Sequence, residues 1–167
     1  MIAAMTQADW TNFFMAQCGA SAALIGLLFV ALSINMQRII NTPYLVNRVA
    51  EALLIFSSPL TFSVFGLVPH QSVFTFGVEI LLSSIAIWAV ITLAECRHVR
   101  DRPPQATVRT LFVWITQIQS AALAPVVAGA LLTTGHQSGF YWLIPATIIA
   151  YVGGITNTWV LTVEILR

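Results

Sequence analysis

The sequence predicts an all-α polytopic membrane bundle: one domain over residues 1–167, five transmembrane helices, N-terminus out and C-terminus in. Three observations carry that prediction. First, 58% of the residues are hydrophobic and 8% charged, against the roughly 25% charged residues of a soluble domain. Second, the apolar residues gather into five runs, each near the ~20 helical residues that cross a bilayer core. Third, the seven basic residues are all arginines and fall on one side once the runs are drawn as spans. Arg38 and Arg48 lie between the first two runs, Arg97, Arg100, Arg102 and Arg109 between the third and fourth, and Arg167 at the end. The two turns to the other side, around Pro69-His70-Gln71 and from Gly135 to Gly139, hold no Arg or Lys. Arginine-rich loops stay cytoplasmic during insertion, which gives the orientation.

The same composition excludes other classes. A mean hydropathy of +0.87 rules out a disordered chain, which needs low hydrophobicity. The formal charge is +1, and the arginines are too dispersed for a nucleic-acid surface. The longest non-apolar stretch, Glu95 to Arg109, reads as a loop, so no soluble domain is expected. The start, Met1 to Trp10, lacks the basic region of a secretory signal, and the first helix is expected to act as its own insertion signal.

The first span covers about 13–34, with Trp10 as an interfacial anchor and Asp9 placed to cap the helix. The second covers about 46–68 and stops at Pro69; the third covers about 72–94. The fourth follows Pro103-Pro104 and covers about 107–133. The fifth covers about 140–161 and opens on Phe140-Tyr141-Trp142, an aromatic belt. The short turns make the second and third spans, and the fourth and fifth, antiparallel neighbours. Pro59 and Pro125 fall inside spans, where each frees the carbonyl four residues earlier, of Ile55 and Ala121. Both kinks should therefore face other helices or water. Pro145 is expected in the first turn of the last helix. Cys18 and Cys96 lie near opposite faces, so no disulfide is expected between them.

Several residues bear chemistry. Gly19, Ala22, Ala23 and Gly26 make two small-xxx-small pairs on the first helix, suited to close packing. That contact is either internal to one chain or a face between subunits. Glu79 lies about 10 Å into the third helix from its outer end, where no arginine reaches. Such a carboxylate requires a proton, water, a cation or a polar partner, which makes it a candidate for proton or cation handling. A hydrogen bond to another helix, or a position near the interface, would satisfy it as well. Glu51, three residues from Arg48, is expected to form an ion pair with it at the inner mouth, a charged ring at a pore entrance being the alternative. Gln117, Gln119 and Ser120 on the fourth helix lie at the level of Thr156 and Asn157 on the fifth. They are either inter-helical hydrogen bonds or the lining of a water path. His70 and His136 in the outer turns are solvated groups or an external pH sensor.

The segment Gly19-Ala-Ser-Ala-Ala-Leu-Ile-Gly-Leu-Leu-Phe-Val-Ala-Leu-Ser-Ile-Asn35, following Asp9-Trp-Thr-Asn-Phe-Phe, resembles the first helix of small uncharacterised bacterial integral-membrane proteins. The likeness covers about the first third of the chain. It implies a multi-pass protein of the bacterial inner membrane and carries over no activity.

No nucleophile elbow, zinc-protease motif or phosphate loop is present, so no enzyme activity, cofactor or metal is expected. The expected partners are the lipid bilayer, further copies of the chain and another membrane protein. The leading expectation is a small homo-oligomer forming an ion or small-solute channel, with Glu79 setting outer selectivity and Gln117, Ser120, Thr156 and Asn157 lining the inner half. A non-conducting accessory protein is the alternative. A proton-coupled carrier is the third reading.

Overall fold

The computed structural model describes residues 10–100 and 108–166, with the side chains of 38, 43–44, 97–100, 108–111 and 160–166 outside the described set. Among the described residues the chain forms six helices: α1 Thr11–Ile34, α2 Met36–Ile40, α3 Pro43–Gly66, α4 Val73–Arg100, α5 Val108–Thr133 and α6 Gly139–Leu166. The five long ones are each long and apolar enough to cross a membrane. Asp9, Arg102 and Arg167, and the side chain of Glu164, lie outside the described residues.

Two boundaries differ from the sequence reading in ways that matter. The stretch from Glu95 to Arg100 is helix rather than loop, because Cys96, Arg97 and the residues around them are compatible with a helix and the first proline is Pro103. Pro145 is the seventh residue of α6, not in its first turn, because the helix already begins at Gly139. The connection after α1 also contains the short helix α2, where Ile39 packs on Leu45 against Leu32 and Val49.

α3, α4, α5 and α6 each pack on the next, and α6 closes back on α3. α1 stands outside this ring against α3, with slight contact to α6. Burial follows the arrangement: 22% of the apolar window of α1 is buried, against 50% for that of α3. Two ends result. One holds Trp10 and the turns at 67–72 and 134–138; the other carries Arg38, Arg48, Arg97, Arg100 and Arg109 on its helices. We call them the aromatic end and the arginine end.

An aromatic cluster ties three long helices, α1, α4 and α6, together at the first end. Trp10 stacks on Phe140 with centroids 5.5 Å apart, Phe140 stacks on Phe76 at 5.6 Å, and Phe76 meets Phe14 edge-on at 5.5 Å. Trp10 and Phe140 are thus buried in the core, whereas Tyr141 and Trp142 remain exposed. Trp10 and Phe140 thus serve as core rings held by ring–ring contacts, while Tyr141 and Trp142 keep an outward position on the same end. The α5–α6 turn closes with a Schellman cap. Gly135 adopts φ 82°, its N–H bonds the Leu132 carbonyl at 3.1 Å, and the His136 N–H bonds the Leu131 carbonyl at 2.8 Å.

The close backbone approaches lie where the glycine pattern of α1 did not place them. A Cβ at Gly129 would stand 2.6 Å from the Leu81 backbone nitrogen, and one at Gly77 2.8 Å from that of Thr133. These two glycines let α4 and α5 touch backbone to backbone, the main attraction available between helices in lipid. By contrast, Gly19, Ala22, Ala23 and Gly26 are exposed, and nothing lies within 4 Å of a Cβ at either glycine. A tight contact inside one chain is therefore not made by that face. The opposite side of α1 does the holding, with the Phe14 ring seated against Gly66. Gly129→Leu is expected to force α4 and α5 apart and cost roughly 1–3 kcal/mol or more, read as a lower midpoint in a denaturing-detergent titration; an unchanged midpoint would refute it.

Candidate functional site

The site builds up at the arginine end from three of the long helices and the α5 face opposite them. Arg48 enters near the start of α3 and is 6% exposed. Its Nε donates to Asn157 Oδ1 at 3.0 Å, and Asn157 Nδ2 donates back to the Arg48 carbonyl at 3.1 Å. This reciprocal pair clasps α3 to α6. The Nε is thus directed across the bundle to α6, and the expected attraction between Arg48 and Glu51 along α3 is electrostatic, with no hydrogen bond to either Glu51 oxygen among the described residues.

Glu51, one turn further along α3, is 0% exposed, and neither carboxylate oxygen has a hydrogen-bond partner among the described residues. Arg48 and Glu95 both lie within its electrostatic reach. Glu95 projects from α4 and is also buried. Gln119 of α5 donates from Nε2 to Glu95 Oε2 at 2.5 Å and to Thr92 Oγ1 at 3.2 Å, while Trp88 Nε1 donates to Gln119 Oε1 at 2.7 Å. Trp88, Thr92 and Glu95 stand at i, i+4 and i+7, one face of α4, so a single glutamine on α5 can serve all three. The second oxygen of Glu95, Oε1, has no partner among the described residues.

Among the described residues three carboxylate oxygens are therefore without donors, inside segments apolar enough to cross a membrane, with the Arg48 guanidinium in electrostatic reach of Glu51. Burial of this kind is costly unless a proton or a cation holds the group. Chemically, the arrangement can take up and release a positive charge.

The residues expected to line a path do not converge on this centre. Glu79 lies at the aromatic end, half-buried, and accepts from Gln71 Nε2 in the adjoining turn. Gln117 is half-buried beside Gly153, whose Cβ would stand 3.5 Å from its Nε2. Ser120 and Thr156 are exposed on the outer sides of α5 and α6, their hydroxyls bonded to the Gln117 and Val152 carbonyls of their own helices. Each of these hydroxyls is satisfied within its own helix. Asn157 alone of this set belongs to the centre. His136 bonds Thr134 in its own turn at 3.0 Å, and His70 occupies the left-handed region at φ 58°. Cys18 and Cys96 are free thiols. Among the described residues no group of three or more His, Cys, Asp or Glu side chains is placed to hold a metal ion.

Glu95 and Gln119 as a pair were missed from the sequence because the fall in hydropathy after Ala94 read as the end of a helix. The available signal was the spacing of Trp88, Thr92 and Glu95 on one face. No known protein family, no curated protein and no solved structure matches the chain.

Proposed function

We propose that this chain is an ion-handling membrane protein, moving protons or small monovalent cations, with Glu51 and Glu95 as the groups that load and release the charge. The observation that supports it is the set of buried carboxylate oxygens at the arginine end that have no donor among the described residues. A carboxylate kept in a membrane-spanning segment without a bonded partner is expensive, and transport function is the common reason for such a cost. Arg48, held by Asn157, would favour release of a proton or cation from Glu51. Glu79 would be the carboxylate at the opposite mouth, met first from the aromatic end, which the arginine distribution makes the outer one. Whether the path is a channel or a carrier is decided by saturation of the flux. The natural assembly is homo-oligomeric, in the bacterial inner membrane, with the glycine face of α1 as the seam between copies.

The test is flux into liposomes holding the purified native protein, under a pH or cation gradient. Movement above that of empty liposomes is expected, and its absence under every gradient would end the proposal. Glu79→Gln is expected to alter the dependence of that flux on external pH while leaving the mass in mild detergent unchanged.

A second reading rests on a different observation. The face of α1 with Gly19, Ala22, Ala23 and Gly26 is exposed in the single chain, so a non-conducting accessory protein would dock another membrane protein there. Gly26→Leu would then release a co-purifying partner while sparing the native fold.

A further inference from the structure

Pro59 and Pro125 carry no N–H, so the carbonyls of Ile55 and Ala121 lack the helical donors they would otherwise have. Both prolines are buried, and a carbonyl left unsatisfied away from water is costly. The nearby donors are engaged elsewhere: Gln17 Nε2 bonds the Pro59 carbonyl at 3.1 Å, Ser57 the Leu54 carbonyl at 2.9 Å, and Ser120 the Gln117 carbonyl at 2.8 Å. Ile55 and Ala121 nevertheless share a surrounding. Both line one cavity of about 10 Å³, together with Ser58 and the apolar walls of Ile87, Ile91, Ala122 and Ala150. Ser58 is 5% exposed, and no hydrogen bond among the described residues engages its hydroxyl.

We infer that this cavity is a binding site for a single water molecule, donating to the carbonyls of Ile55 and Ala121 and accepting from the hydroxyl of Ser58. Its size suits one water and nothing larger, and three polar partners are what a buried water typically takes. A metal cation is a poor fit, since it seeks about six oxygens and the remaining walls here are isoleucine and alanine. The water would also bridge α3 to α5 across the ring, a diagonal along which those helices make little direct contact. Ile55 lies one turn from Glu51 and Ile91 one turn from Glu95, so the site is the next polar point inward from the charged centre. The inference stands independently of ion movement.

The experiment is nuclear magnetic resonance transfer from water to the protons of Ser58, Ala121 and Ala122, on the full chain in deuterated-lipid nanodiscs. Transfer at these residues is expected in the native protein, as it is at the exposed Gly135 turn. Ala122→Val, which narrows the cavity, should abolish the transfer at Ser58 and leave that at Gly135 untouched. Native protein with transfer at Gly135 and none at Ser58, Ala121 or Ala122 would overturn the site; so would full transfer in a folded Ala122→Val protein. Should that variant not fold, the native measurement decides alone. Water contact in a protein that moves no ions would leave this site in place and remove the ion reading.

Discussion

Glu51→Gln is expected to leave the bundle as stable as the native protein, or more so, while reducing ion flux to that of empty liposomes. The two halves of this result have one cause. Native Glu51 is fully buried with neither oxygen hydrogen-bonded among the described residues. The fold therefore gains no bond from the carboxylate that glutamine would lose, and it sheds the cost of a charge. Transport through the site depends on exchange of a proton or cation, which an amide cannot perform. Glu51→Asp, which keeps the carboxyl group, should retain measurable flux. The checks are a denaturing-detergent titration and flux in liposomes on the same preparations. A large loss of stability in Glu51→Gln would mean the carboxylate is structural after all. Undiminished flux would move the charge-carrying role elsewhere.

Arg48→Met has the opposite expected signature, with stability falling by about 3 kcal/mol. Methionine fills much of the same space but leaves Asn157 Oδ1 without its donor and Glu51 without the nearby positive charge. The Asn157 amide keeps its bond to the backbone carbonyl of residue 48, which depends on no side chain, so the α3–α6 contact is weakened rather than abolished. Because Arg48 and Glu51 act on each other, the loss should be smaller when Arg48→Met is made in the Glu51→Gln background, by more than ~0.5 kcal/mol. Strict additivity in that cycle would show that the two side chains do not interact energetically.

Much of the architecture was legible in the sequence because it rests on lengths and on a single periodicity. Five runs of about 20 apolar residues can do little but become helices where backbone groups must be satisfied internally. The short turns at Pro69 and Gly135 leave their flanking helices no choice but to pair. The burial of Pro59 and Pro125 was likewise legible, since a missing N–H is a property of the residue itself. Pairings across the bundle were not. Nothing local in Arg48 says that its Nε reaches residue 157 rather than residue 51, because the choice depends on which face α6 presents. The internal glycine contacts were hidden for a similar reason: Gly19 and Gly26 show the spacing of a packing face within one helix, but Gly77 and Gly129 each meet the facing helix, a match that one helix alone does not display. Glu95 was lost to hydropathy averaging, which reads a charged last turn as a loop.

The hold on α1 sets a timetable for assembly during synthesis. Its buried polar groups find their partners late in the chain: Ser21 bonds the Tyr151 hydroxyl at 2.8 Å, and that hydroxyl donates to the Gln17 carbonyl at 2.9 Å, across 130 and 134 residues of sequence. At ribosomal speeds that interval is on the order of ten seconds. Gln17 meets Pro59 sooner, 42 residues on, so α1 can rest on α3 early but is locked only when α6 arrives. Until then the newborn first helix is a lodger in the bilayer, and any neighbour with a matching surface has that window in which to claim it.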